Sequence, residues 1–228
     1  MSSTNLTLFD LDGTLIETDS DHAFGEFLVA VGWADADRFK RRNDQFYADY
    51  LAGTLDVAAY VDFATAAWRD RPESEARAMR ARFVREVMQP SVHARALELV
   101  RRHQRAGDRV AIVTATNEFV TRPIAHLFGV ESLLALELER DALGRVTGRV
   151  HGVPTFREGK VTRVEQWLAA SGHRVSDFGR ITFYSDSLND LPLLEWATHP
   201  VATNPGAALE AVALARDWPI LRLFQTPE

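Results

Sequence analysis

The chain has 228 residues, 46% hydrophobic and 25% charged, with a net charge of -6 and no cysteine. That balance suits a soluble globular chain with a sizeable core, either one large domain or a core carrying an insertion. The charge argues against a nucleic-acid or anionic-membrane binder, and the missing cysteine excludes disulfides, thiolate metal sites and cysteine nucleophiles. Residues 1–5 are short and polar, without the basic and apolar regions of a leader, and no apolar run reaches the length of a membrane span. The expected location is the cytoplasm.

The first expected strand, Leu6 to Asp10, runs into two aspartates one residue apart, Asp10 and Asp12, followed by Gly13 and Thr14. Aspartate is a poor strand residue, so the pair belongs at the C-terminal lip of the strand, where open α/β sheets hold ligands. From Ile16 to Met88 the texture changes to Ala, Phe, Tyr, Trp and Arg at helical spacing. Helices are expected near Asp21–Val31, Asp35–Leu51, Leu55–Trp68 and Glu73–Met88, with Gly32, Gly53 and Pro72 in the gaps. An all-helical block after a first strand reads as an insertion, a small cap.

Beyond Pro90 a β/α alternation begins. A helix over Val92–Ala106 precedes the apolar run Arg109–Val113, a buried parallel strand ending on Thr114. A helix over Glu118–Phe128 follows, then a hairpin of Leu133–Glu139 and Arg145–His151, then a helix over Glu158–Ser171 with Lys160 at its start. The strand Arg180–Tyr184 ends in Ser185-Asp186, and a short helix over Asn189–Trp196 follows. Pro200–Ala202, Ala207–Ala215 and a short strand near Ile220 complete a parallel sheet wrapped on both faces.

Three strand ends therefore carry polar residues, Asp10/Asp12, Thr114 and Asp186/Asp190, and a helix start adds Lys160. In a parallel sheet these ends share one edge. Several carboxylates with one ammonium and one hydroxyl call for a hard cation such as Mg²⁺, and a cation beside a lysine calls for an anionic substrate, phosphate foremost. Singly, each residue has another reading: Asp12, Asp186 and Asp190 as helix caps, Thr114 as a strand-end hydroxyl, Lys160 as a solvated helix residue. The seven histidines are scattered without metal spacing and read as surface or packing residues.

Together, Asp10-x-Asp12-Gly13-Thr14, the strand ending in Thr114, Lys160 and Ser185-Asp186-Ser187-Leu188-Asn189-Asp190 resemble the four motifs of the haloacid dehalogenase-like phosphatases. The resemblance covers nearly the whole chain. It extends to the subfamily IB, phosphoserine-phosphatase-like branch, through the helical insertion, the hairpin and the stretches Thr114–Thr121 and Phe156–Val161. It implies a Rossmann-like α/β core of residues 1–16 and 89–228 with an all-helical C1-type cap of residues 17–88. It implies Asp10 as nucleophile, forming an aspartyl-phosphate, and Asp12 as general acid and base. It implies phosphate binding by Leu11, Thr114, Ala115 and Lys160, and Mg²⁺ held by Asp10, Asp12 through its main-chain oxygen, Asp186 and Asp190.

The resemblance also bears on the substrate, a small phosphorylated metabolite. In phosphoserine phosphatases a glutamate nine residues past the nucleophile binds the substrate ammonium; Asp19 stands there. An arginine for the substrate carboxylate follows a Gly-x-Leu in the cap; by ungapped count from Gly53-Thr54-Leu55, Asp62 stands at that offset. An amino alcohol phosphate without a carboxylate fits better than phosphoserine, and some members of the subfamily hydrolyse histidinol phosphate. Asp19, Asp21 and Asn117 are the candidate substrate residues, with Phe24, Trp33, Phe119 or Phe156 for a ring. Asp19 and Asp21 equally read as helix N-caps. A non-catalytic phospho-ligand-binding protein, the alternative from another class, has no need of both Asp10 and Asp12. The oligomeric state is not legible.

Overall fold

The computed structural model describes residues 4–224. Residues 1–3, part of the stretch expected to carry no leader, lie outside them. β1 (Thr4–Phe9) is the middle of a six-stranded parallel sheet of order β3-β2-β1-β6-β7-β8, with β2 Arg109–Asn117, β3 Ser132–Leu136, β6 Phe178–Ser185, β7 His199–Thr203 and β8 Ile220–Leu221. From β1 the chain fills one side of the sheet with β2 and β3, then returns to the other with β6. Asp10 therefore leaves the sheet at the point where the winding reverses, which is where such sheets open a crevice.

Leu6, Leu8 and Phe9 are fully buried, because β1 has a strand on each edge and helices on each face. Leu6 and Leu8 face one apolar cluster with Val164, Leu168 and Leu193, and Phe9 faces the other with Phe24 and Phe83. The alternation of a two-residue strand period between two cores explains why the run is continuous in apolar character.

Between β1 and β2 lie four helices, α1 Ser20–Ala30, α2 Ala36–Ala52, α3 Val57–Ala66 and α4 Glu73–Phe83, the last prolonged by a π-helical turn over Val84–Met88. They are the helical cap. Asp19 and Asp56 cap α1 and α3 through their carboxylates, and Pro72 precedes α4. Phe24 and Phe27 of α1 pack on Phe83 at ring separations of 5.0 and 5.6 Å.

The expected hairpin is divided. Ser132–Leu136 joins the main sheet beside β2, and only β4 (Leu138–Arg140) pairs antiparallel with β5 (Val146–Val150). The apolar alternation is common to both halves, so the segment carries no mark of where one sheet ends. β2 also continues past Thr114 to Asn117, with a break in register against β3 between Val113 and Asn117. The remaining helices, α5 Ala94–Arg105, α6 Glu118–Leu127, α7 Glu158–Ala170, α8 Leu191–Trp196 and α9 Ala207–Ala215, match their expected positions to within a few residues at each end. Among the described residues no helix is long and apolar enough to cross a membrane.

Phe83 is fully buried at the seam of α4 and α1. Truncation by Phe83→Ala removes contacts to two rings and is expected to cost about 3–5 kcal/mol. Urea titration against the parent chain measures it; a loss well under about 1 kcal/mol contradicts the seam as described.

Candidate active site

Lys160 joins the motifs. It is the third residue of α7, yet it is only 1% exposed. Its Nζ donates to Asp10 Oδ1 and to Asp190 Oδ2, each at 2.7 Å. The backbone forces this inward aim. Arg157 enters α7 at φ 52°, and a Cβ on Gly159 would stand 2.0 Å from the Pro154 carbonyl oxygen, so only glycine lets the loop fold so tightly against the helix start. The solvated-helix reading of Lys160 is thereby excluded. Burial alone would lower the ammonium's pKa, but the Asp10 and Asp190 carboxylates outweigh it and raise it. Ser185 Oγ also donates to Asp190 Oδ2, at 2.7 Å, so Asp190 anchors Lys160 from below.

The loop after β1 is clamped from two sides. Thr14 Oγ1 lies 3.3 Å from Asp10 Oδ2 and 3.2 Å from Asp186 Oδ1, and accepts from the Asp186 backbone N–H at 3.0 Å. Asn204 Nδ2 donates to the carbonyls of Gly13 and Thr14 at 2.9 and 3.2 Å. Gly13 turns at φ 72°, and a Cβ there would stand 2.2 Å from Asp186 Oδ2. Asn204 escapes sequence reading, since a lone asparagine 190 residues from its partner leaves no periodic signal.

Asp12 faces the other way. Its Oδ1 accepts from the Ser20 backbone N–H at 2.7 Å; its Oδ2 accepts from Thr116 Oγ1 at 2.9 Å and lies 3.4 Å from Thr114 Oγ1. Thr116, at the extended end of β2, was not among the expected site residues; its polar alternation with Thr114 along one strand face is the signal that marks it. Burial, with the charge of Asp19 behind it, pushes the Asp12 carboxyl up to about 6. Burial likewise raises Asp10 to about 7 against the pull of Lys160, and lifts Asp186 well above the carboxylate range, helped by the charges of Asp10 and Asp190.

A cavity of about 50 Å³ opens in front of Asp10, Asp12, Thr114 and Ala115. Its far wall comes from the cap: Asp19 and His22 of α1, Asn43, Phe46, Tyr47 and Tyr50 of α2, Leu55, Val57 and Tyr60, with Phe156 from the core. The α2 residues fall at i, i+3, i+4 and i+7, one helical face. That stripe is visible in the sequence but is indistinguishable from packing until the helix is seen to face a hollow. His22, expected as a surface or packing residue, lies on this wall. Of the four aromatic candidates only Phe156 lies there. Phe24 and Phe119 are core residues, and Trp33 stacks under Arg71 at 4.0 Å.

Asp19 and Asp21 separate in role. Asp19 Oδ1 caps α1, accepting from the backbone N–H of Asp21 and His22 at 3.0 and 2.8 Å, while the residue also lines the cavity. Burial, with the charge of Asp21, raises it to about 6. Asp21 is buried behind the wall, where Tyr60 Oη donates to it at 2.6 Å and Asn117 Nδ2 at 3.1 Å. Asn117 in turn caps α6 through Oδ1. Neither Asp21 nor Asn117 lines the cavity, because each is held by the other. Leu11 is fully buried, side chain and backbone alike.

No group of three or more His, Cys, Asp or Glu side chains among the described residues is gathered to hold a metal on its own. The expected set of Asp10, Asp12, Asp186 and Asp190 does not form a cage of side chains: Asp190 is turned to Lys160 and Ser185, and the Asp12 carboxylate to Ser20 and Thr116. Asp10 and Asp186 remain, bridged by Thr14. A pair of carboxylates with room for main-chain oxygen and water suits Mg²⁺, which keeps much of its hydration. Burial does most to raise Asp10 and Asp186, and the charge of Asp190 raises both further; a cation between them would offset that repulsion, so the donors fit it.

Comparisons with known proteins bear on the family and the fold. A sequence model of the haloacid dehalogenase-like hydrolases matches residues 7–195. The chain belongs to that family. A histidinol-phosphatase of Neisseria meningitidis is 42% identical over 217 residues, spanning 95% of this chain and 98% of that one. A crystal structure of a protein of unknown function from Bordetella pertussis superposes with a TM-score of 0.92 at 45% identity, covering 98% of this chain and all of that one. A substrate-bound phosphoserine phosphatase superposes at 0.67 with 16% identity over 97% of this chain and 94% of its own, a likeness of fold. The Rossmann-like core with its helical cap is therefore the architecture of this hydrolase family.

Carboxyls at about 6 and 7 bind protons more tightly in the folded chain than in the unfolded one. Their contribution to stability is fully present below the ordinary aspartate range and is lost as pH rises through about 6 to 7. In metal-free buffer the Tm is expected to fall between about pH 5 and about pH 8, and Mg²⁺ to raise it more at the upper end. A Mg²⁺ effect independent of pH contradicts the charge imbalance described here.

Proposed function

We propose that this phosphoric monoester hydrolase acts on histidinol phosphate, or a closely similar amino alcohol phosphate, through an aspartyl-phosphate on Asp10. The observation that carries the substrate reading is the charge of the cavity wall. It offers the Asp19 carboxylate, His22, Asn43 and a bank of aromatic rings, and among the described residues no arginine or lysine lines it. A substrate with an ammonium and a ring finds partners there; a substrate carboxylate finds none. Asp62, at the offset of the phosphoserine-phosphatase arginine, pairs instead with Arg69 at 2.6 Å outside the cavity. The histidinol-phosphatase relative supports the same reading.

The chemistry is assigned as follows. Asp10 attacks phosphorus, forming the P–O bond of the acyl phosphate as the ester P–O bond breaks. Asp12, held protonated by its surroundings near pH 6, gives its proton to the leaving alcohol oxygen. Water then attacks the phosphoryl group; Asp12 takes its proton, and Asp10 leaves as carboxylate with inorganic phosphate released. Lys160, Thr114 and the backbone N–H groups of Leu11 and Ala115 stabilise the phosphoryl oxygens, and Asp190 keeps Lys160 in place. Asp10, Asp186 and the main-chain oxygen of Asp12 would hold Mg²⁺, which supplies positive charge to the transferring group. Residues 17–88 form the cap domain and residues 1–16 and 89–228 the core. A cavity of about 50 Å³ is smaller than a phosphorylated metabolite needs, so the cap moves to admit it.

A screen of phosphorylated metabolites with Mg²⁺, reading released phosphate, tests the assignment. Histidinol phosphate is expected to give the highest kcat/KM, well above phosphoserine, and Asp10→Asn to abolish turnover. A clear preference for phosphoserine or for a nucleotide overturns the substrate reading. Asp19→Asn keeps the helix cap and removes the charge. It is expected to raise KM for histidinol phosphate by about tenfold or more while leaving p-nitrophenyl phosphate within about twofold. Equal losses on both assign Asp19 to capping alone.

A further inference from the structure

A second and larger cavity, of about 530 Å³, shares no lining residue with the first. On one side are α4 and the turn before it, with Arg69, Arg71, Arg77 and Arg80. On the other are α6 and the β4–β5 hairpin, with Arg122, Arg140 and Arg145. Asp70, Glu73 and Glu118 are the acids on its walls, and Asp62 and Asp141 pair with Arg69 and Arg145 from beside it, leaving an excess of two positive charges in a chain whose net charge is -6. Such an inversion of sign concentrated in one concave surface focuses the field on an anion.

The arginines are not equivalent. Arg69, Arg77 and Arg145 are paired with Asp62, Glu73 and Asp141, and Arg140 reaches Glu118 at 4.0 Å. Arg71, Arg80 and Arg122 have no carboxylate partner among the described residues. Arg71 Nε donates to the Ala67 carbonyl at 3.2 Å, and Arg122 Nη1 lies 3.4 Å from the Glu131 carbonyl. Arg80 is half-buried, lies 4.6 Å over the Phe119 ring and has one hydrogen bond, Nη1 to the Phe119 carbonyl at 3.0 Å. Phe119 is itself stacked on Trp68 at 4.0 Å, which fixes the platform under the guanidinium. Burial, with the charge of Arg77, lowers the Arg80 pKa. Arg80 lines the cleft, and its guanidinium is a planar fork of the kind suited to phosphate oxygens.

We propose that this cleft binds a small polyanion with two or more phosphates in a chain, held by Arg71, Arg80 and Arg122. Three unpaired guanidinium groups set on both walls match a chain of phosphates better than a single one. The volume falls in the range of small-molecule sites. A ligand seated there contacts both α4 of the cap and α6, whose N-cap Asn117 holds Asp21 behind the substrate cavity.

The test is isothermal titration calorimetry of the full chain in metal-free buffer, where the acidic first cavity repels phosphates. Tripolyphosphate and ATP are the probes, with orthophosphate for comparison. One binding event for tripolyphosphate is expected, with orthophosphate at least about tenfold weaker. ATP binding equally assigns the site to the phosphate chain of a nucleotide as well; tripolyphosphate alone assigns it to the free chain. Arg71→Gln with Arg122→Gln is expected to weaken binding by about tenfold or more, with Mg²⁺-dependent p-nitrophenyl phosphate hydrolysis within about twofold. Arg101→Gln with Arg105→Gln, on α5, removes the same charge elsewhere. An equal loss in that pair, no loss in the cleft pair, or no binding of either probe overturns the proposal. The rise in Tm of the parent chain with tripolyphosphate, absent with orthophosphate, reads the same site without any substitution.

Discussion

One ammonium holds two carboxylates that are distant in sequence and buried together. Lys160 reaches Asp10 after β1 and Asp190 after β6, and each of the three side chains is nearly sealed from water. Burying any one of these charges alone would cost several kcal/mol, so each is tenable only with the others. The arrangement therefore constrains much else. It requires α7 to begin at the lip of the sheet, which the tight loop at Gly159 and the left-handed turn at Arg157 permit. It requires β1 and β6 to be neighbours, and it requires Ser185 to satisfy the second side of Asp190. Asp186 lies outside this compensation; burial, then the charges of Asp10 and Asp190, raise its carboxyl well above the usual carboxylate range, and a cation there would offset that repulsion.

The cap acts on a different level. Its helices contribute little charge to the site apart from Asp19, and they contribute most of the wall that a leaving group would meet. On the function proposed, the single face of α2 carrying Asn43, Phe46, Tyr47 and Tyr50 is the part of the cavity wall that would select the leaving group. Tyr50 marks how near the two levels lie: burial, then the charges of Asp190 and Asp10, keep its hydroxyl protonated far above neutrality. The end of α2 meets the core through Asn189 Nδ2 to the Tyr50 carbonyl at 2.7 Å, Arg157 Nη1 to the Gly53 carbonyl at 3.1 Å, and the Tyr50 ring 5.9 Å from that of Phe156.

Much of this was legible in the chain itself, for a physical reason. A parallel sheet collects the C-terminal ends of its strands on one edge, so polar residues closing apolar runs at Asp10, Thr114 and Asp186 must meet once the alternation is recognised. Lys160 was legible as a member of a motif but not as a buried residue, since its aim depends on backbone angles three residues upstream. The hairpin was half legible, because the alternation of Leu133 to Glu139 suits either sheet and only tertiary pairing divides it. Asp21 and Asn117 looked like neighbours of the site, which they are, but their mutual hydrogen bond turns them away from it. Asn204 became visible only with the loop it holds, whereas Thr116 alternates with Thr114 along the strand.

Chemical trapping at the first carboxylate tests the account most directly. Enzyme mixed with substrate and Mg²⁺, quenched in acid and reduced with borohydride, converts an acyl phosphate to the corresponding alcohol, which peptide mass spectrometry locates. The account predicts modification at Asp10 and its loss in Lys160→Gln. Modification at another carboxylate, or turnover with none at Asp10, would contradict it.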